Sequence, residues 1–241
     1  MLSEKNRIKH SLIIPILLLI TLWTIKLYEE VFGFSLIKYG LVPQKLSGIK
    51  GIFLSPLIHA DYSHLISNSI PLFLFSFALF YFYRPISYKI FILSWFLTGL
   101  FVWFGIIPAL NILKNNIHFI NIREAYHIGS SGLVYSLGAF LFISGIIRKN
   151  FQLSALTLLV TFIYGSMIWG ILPLKAEISW ESHLYGLITG SVLAFYFRKH
   201  GPSDTKYDIE DDEEDDTSLE EDSELIQDTK NNSDVNNLHI W

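Results

Sequence analysis

Six stretches of this chain stay apolar for about 17 to 22 residues, the length that carries a helix across a hydrocarbon core of roughly 30 Å. They run approximately over residues 11–30, 64–83, 89–108, 128–147, 153–172 and 182–198, the last being the shortest. In lipid, backbone N–H and C=O groups must be satisfied within their own segment, so each stretch is expected to be a helix. Hydrophobic residues make up 51% of the chain and cluster in blocks instead of alternating, which argues against a soluble core. The predicted fold is all-α, a polytopic membrane protein with six transmembrane helices.

The net charge of -4 averages two unlike parts. Residues 1 to 203 carry sixteen Lys and Arg against seven Asp and Glu, and the remaining 38 carry two against fifteen. The segment "DIEDDEEDDTSLEEDSE" cannot bury enough apolar surface to fold and reads as a disordered acidic tail. The expected organisation is therefore an N-terminal segment 1–10, a transmembrane domain 11–199 and a tail 200–241. Lys5, Arg7 and Lys9, then Arg84 and Lys89, Arg148 and Lys149, and Arg198 and Lys199 flank alternate segment ends. The positive-inside rule makes that face cytoplasmic, with both termini on it, as in a multi-pass protein of the plasma or inner membrane. The first stretch lacks a small-residue cleavage site and reads as a retained signal anchor.

There is no cysteine, which excludes a thiol nucleophile, an iron–sulfur cluster and a thiolate zinc site. The outer loops 31–63 and 109–127 are long and punctuated by glycine and proline, and such loops are seldom idle. The first is apolar enough to lie partly in the membrane.

Polar side chains are costly in lipid and need a partner or a task. Three groups of them, "HADYSHLISN" (59–68), "GSSGLVY" (129–135) and "SHLYGLITG" (182–190), sit at the outer starts of the second, fourth and sixth segments. Helices running the same way bring their first turns to one depth, so Ser131, His183, His64 and Asn68 are expected to share a level. His64 and Asn68, spaced i, i+4, face the same way.

Serine needs a base to become a nucleophile, and imidazole suits that work near neutrality. Ser131 and His183 make such a pair. No acid lies inside the six segments as drawn, Glu29 and Glu30 standing at the exit of the first, so a dyad is expected. Gly186 and Gly190 form a GxxxG face for close helix approach, and Gly129 and Gly132 clear bulk from around Ser131. Tyr135, one turn beyond Ser131, is placed to support the His183 ring. Unpaired N–H groups at the start of the fourth helix, with His64 and Asn68, would stabilise an oxyanion. Ser130 reads as a helix-start residue, and His59, His118 and His127 as loop-structuring.

At these positions the chain resembles the rhomboid family of intramembrane serine proteases. "GSSG" matches the family's GxSG motif, "HADYSHLISN" its H-x-x-x-x-H-L-x-x-N stretch, and "HLYGLITG" its HxxGxxxG motif. The three occur in order over about residues 8–198, on a six-helix core of the bacterial type. The resemblance implies that Ser131 is the nucleophile, His183 the base, and His64 with Asn68 the oxyanion donors. It also implies a Tyr135 ring packed on His183 and a structural His59 in the first loop. Many relatives carry a Trp-Arg pair before the histidine-rich stretch; "IKGIF" stands here, with Lys50 its one basic residue.

The expected function is thus a serine endopeptidase acting within or beside transmembrane segments of other proteins, its partners being those substrates and the bilayer. It needs no cofactor, metal or nucleic acid. The fifth segment, with the loop before it, is the expected gate. A non-catalytic relative that escorts membrane clients is the alternative, and a histidine-ligated haem protein or transporter a further one that leaves the glycine-flanked serine unexplained. Without an HExxH motif or paired intramembrane aspartates, zinc and aspartyl protease chemistries find no support.

Overall fold

A computed structural model describes residues 3–111, 116–121, 125–163 and 179–201. These residues fall in one unit, residues 1–204; the acidic residues 205–241 form a second, outside the described residues.

Helix α1 (Glu4–Phe32) overruns the expected first segment at both ends and stops where Gly33 turns left-handed at φ 64°. The loop that follows contains short 3-10 turns and one helical turn, α2 (Gly51–Leu54). Then come α3 (Tyr62–Phe82) and α4 (Ser87–Phe104). The third segment was expected to reach residue 108, but α4 ends at Phe104 because Gly105 adopts φ 67°. An antiparallel hairpin takes over, β1 (Ile106–Asn111) on β2 (Asn116–Asn121), with Ile106 opposite Asn121. It is the described exception to an otherwise helical fold, and it occupies much of what the sequence gives no reason to see as more than a loop. Helices α5 (Ser131–Ile147), α6 (Phe151–Ile163) and α7 (Trp180–Tyr196) complete the described chain. The rest of the expected fifth segment, residues 164–172, lies outside the described residues, as does the loop after it up to residue 178.

Each of the six apolar stretches therefore carries a helix. By length and composition α1, α3 and α4 can each cross a membrane; α5 and the described part of α6 are apolar but shorter, at 17 and 13 residues.

The centre is built by α3 and α5, whose Leu72, Phe75 and Leu79 meet Leu137, Phe140 and Leu141, all fully buried. Helix α1 lies against α3, where Arg7 donates to the Tyr81 carbonyl at 2.9 Å and covers the Tyr81 ring at 4.1 Å. The most extensive helix pair is α5 with α7. Its closeness comes from glycine: a Cβ on Gly186 would fall 2.2 Å from the Gly132 carbonyl oxygen, and one on Gly190 2.0 Å from that of Ser136. No other residue permits that approach.

Candidate active site

Three helix starts build the site. Asp61 caps α3, its carboxylate accepting the His64 N–H at 2.8 Å, and this fixes His64 in the first turn with Asn68 one turn below. In α5, Ser130 is the capping residue and Ser131 the first helical one, so the amides around Ser131 include those a helix leaves unpaired. Helix α7 begins at Trp180, two residues before the expected boundary, which brings Glu181 into its first turn, fully buried. The expectation that no acid lies within the segments is thereby corrected: a carboxylate near an amino-terminal helix end is favoured by the helix dipole, which composition alone does not reveal. Glu29 likewise lies in the last turn of α1, buried, accepting the Leu36 N–H at 2.6 Å beside Lys26 Nζ at 3.7 Å.

Ser131 Oγ and His183 Nε2, fifty-two positions apart in sequence, lie 2.8 Å from each other. The Tyr135 ring stacks on the imidazole, centroids 4.3 Å apart and planes 13° from parallel. The stacked ring restrains rotation of the imidazole about its hydrogen bond to Ser131. Ser131 is partly exposed and His183 buried, so the hydroxyl is the accessible member of the pair.

The other expected residues converge on Gly129. Its φ of 101° is a conformation open to glycine, and a Cβ there would stand 2.6 Å from His64 Nε2 and 3.5 Å from Asn68 Nδ2. Asn68 Nδ2 is buried and hydrogen-bonded to none of the described residues, and it lies beside Gly129. An unsatisfied buried donor costs about 1–3 kcal/mol, so its retention calls for a use.

His59 stands behind this cluster. Its ring meets that of His64 edge to face at 5.0 Å, and its Nε2 accepts the Ser130 N–H at 3.4 Å. Burial, then the neighbouring His64, lower its pKa from 6.5 to about 3, which keeps the ring neutral and able to accept. Ser130 thus faces His59 while Ser131 faces His183. Lys26 of α1 donates to the Ala60 carbonyl at 3.0 Å and holds the loop carrying His59, while Gly129 N–H donates to the Ser55 carbonyl at 2.9 Å. A cavity of about 20 Å³, room for one water, opens beside Gly129 and Gly132; Ser55, Thr98, His127 and Ser182 supply its polar lining.

The structure therefore brings together Ser131, His183 and Tyr135, sets His64, Asn68 and Gly129 beside them, and uses Gly132, Gly186 and Gly190 at the helix contact. Among the described residues no group of three or more His, Asp or Glu could hold a metal. Sequence reasoning missed Asp61 and Lys26, while His127, read as loop-structuring, is buried and bonded through its backbone to Leu41. Asp61 carried a signal, a capping residue three positions before His64. Lys26 carried none for this role, because the carbonyls it holds in the first loop lie on another element. The side chain of His118 lies outside the described residues.

Residues 47–200 match the family model described as the Rhomboid domain. Two relatives, "Uncharacterized protein Rv1337" of Mycobacterium tuberculosis and "Uncharacterized protein Mb1372" of Mycobacterium bovis, are each 30% identical over 182 residues, covering 72% of this chain and 70% of theirs. A Mycobacterium leprae protein, "Uncharacterized protein ML1171", is 28% identical over 180 residues, 72% of this chain and 66% of its own. With the matched domain covering well over half its length and its apolar helices in register with the three motifs, the chain is a multi-pass membrane protein and belongs to the rhomboid family.

Proposed function

We propose that this protein is an intramembrane serine endopeptidase that works by a Ser131–His183 dyad. The observation that carries this reading is the 2.8 Å approach of Ser131 Oγ to His183 Nε2, with Gly129 nearby facing a buried Asn68 amide that hydrogen-bonds to none of the described residues. In the first step Ser131 Oγ attacks the scissile carbonyl while its proton passes to His183 Nε2. The carbonyl oxygen becomes an oxyanion that accepts from Asn68 Nδ2, His64 Nε2 and the amides at the start of α5. Collapse breaks the C–N bond, and the leaving amine takes the proton from His183. Water, deprotonated by the same imidazole, then hydrolyses the acyl-serine ester.

Tyr135, stacked on the imidazole, helps restrict the ring to the orientation in which Nε2 faces the hydroxyl. Gly129 keeps the space beside His64 and Asn68 free of a β-carbon, while Gly132 serves the close approach of α7. Substrates are transmembrane segments of other proteins. A helix hides its peptide bonds in hydrogen bonds, so segments rich in helix-breaking and small residues near the outer surface are preferred. Both termini lie in the cytoplasm of a cell bounded by this plasma or inner membrane, and the active site opens towards the outer face.

The test is cleavage of a transmembrane reporter by the purified protein. Removing one member of such a pair typically costs about 10⁴-fold or more in kcat. Ser131→Ala and His183→Ala are each expected to abolish cleavage to that extent while the protein keeps its thermal midpoint. A Ser131→Ala protein that still cleaves would overturn the dyad, and a parent protein that leaves the reporter uncut would leave the client-escort alternative.

A further inference from the structure

Besides Ser131–His183 and Ser130–His59, the described residues hold a further serine–histidine contact, outside the family motifs. His127 Nδ1 and Ser179 Oγ are hydrogen-bonded, and Ser179 Oγ meets Ser182 Oγ at 2.7 Å. The pair is separated by fifty-two positions, the same offset as Ser131 and His183. His127 lies four residues before Ser131, and Ser179 four before His183. The two strands of chain that enter α5 and α7 thus meet in equivalent rungs with the residue types exchanged: histidine then serine on one, serine then histidine on the other. Below them Gly132 on Gly186 and Ser136 on Gly190 continue the contact.

We propose that His127 and Ser179 are positioning residues, a latch one step above the dyad that sets the register between Ser131 and His183; this rests on the protease reading above. Three observations support it. Ser179 is the residue before α7, where a serine ordinarily turns its hydroxyl on the first free N–H groups; here the side chain makes no such cap and reaches across to His127 instead. The stability a cap confers has been exchanged for a tie between elements. His127 is itself anchored, 3% exposed, with its N–H and C=O both bonded to Leu41 at 2.8 and 3.0 Å. The histidine therefore hands the position of the first loop to the start of α7. Finally, both ends of the latch lead directly to a reacting atom: Ile128, Gly129 and Ser130 are all that separate His127 from the nucleophile, and His183 N–H bonds back to the Ser179 carbonyl at 3.4 Å.

The latch touches neither substrate nor the reacting atoms, so its loss acts on geometry. A displacement of about 1 Å costs on the order of 100-fold in rate. The experiment measures kcat and KM for a transmembrane reporter, and the rate of fluorophosphonate labelling, on the purified full chain. His127→Ala and Ser179→Ala are each expected to lower kcat and labelling about 10- to 100-fold, with KM within about twofold, because binding surfaces are untouched. His127→Asn, which returns an amide near the Nδ1 position, is expected to recover most of the loss. In the double variant the two losses should not multiply, since both break one bond. Should His127→Ala fail to fold, Ser179→Ala and the Asn variant carry the test.

Single variants with kcat within twofold of the parent, losses that multiply, or an Asn variant no better than Ala with the thermal midpoint falling in step would each overturn the latch. Failure of the protease reading is a separate outcome, seen as Ser131→Ala cleaving like the parent.

Discussion

Gly129 shows how tightly single positions are bound to the chemistry. Its backbone at φ 101° and the 2.6 Å from its absent Cβ to His64 Nε2 mean that Gly129→Ala must strain the chain and displace an imidazole together. The strain alone is worth on the order of 1–3 kcal/mol. A drop in thermal midpoint, with kcat falling further than that of a surface Gly33→Ala control, checks this. Asn68→Ala removes a donor that hydrogen-bonds to none of the described residues, so folding should be spared or improved while kcat falls about 100- to 1000-fold. Equal kcat in parent and variant would remove Asn68 from the oxyanion site. His59 gives a pH signature. The folded ring takes its proton only near pH 3, the unfolded one near 6.5, so between those values the unfolded state holds more protons. The stability due to neutral His59 is complete above pH 6.5 and is lost as pH falls towards 3, at up to ~1.4 kcal/mol per pH unit. Melting in detergent at pH 7 and pH 5 should show a smaller difference in His59→Gln than in the parent.

Helix starts and helix contacts decide what these residues can reach. The α5–α7 pair depends on backbone approach, and Gly186→Val places two methyl groups where 2.2 Å separates a Cβ position from the Gly132 carbonyl. The helices must part, and the Ser131–His183 bond with them. Loss of both cleavage and fluorophosphonate labelling is expected, along with a lower thermal midpoint; a variant with parental labelling would mean that the dyad does not depend on this contact. These elements were legible because lipid leaves one backbone solution: each apolar stretch carries a helix, and the three motifs occupy helix starts as their order implied. Ends were less legible. Gly105 cut α4 short by adopting a left-handed turn that any glycine can take but few must, and α7 started early enough to enclose Glu181. The hairpin at 106–121 has no lipid constraint to announce it, since its hydrogen bonds join two pieces of chain. The His127–Ser179 contact was hidden for a related reason: a histidine in a loop reveals nothing about a serine fifty-two positions away until both elements are packed.

At the scale of the whole molecule, topology and charge divide the chain into a membrane unit and an acidic tail. The basic clusters predict that both ends of the membrane unit face one side and the site the other. With no native cysteine, single-cysteine labelling reads this directly. Ser3→Cys and Lys199→Cys should react from the cytoplasmic side only, and Lys38→Cys from the outside only; the converse pattern would invert the topology. The reading of the whole nevertheless rests on one contact made across two helices. The measurement that tests it most directly is fluorophosphonate labelling of the purified protein, with the modified residue located by peptide mapping. The account predicts a single adduct on Ser131 that disappears in His183→Ala, where the hydroxyl has lost its base. An adduct on another serine, or undiminished labelling of Ser131 without His183, would contradict it.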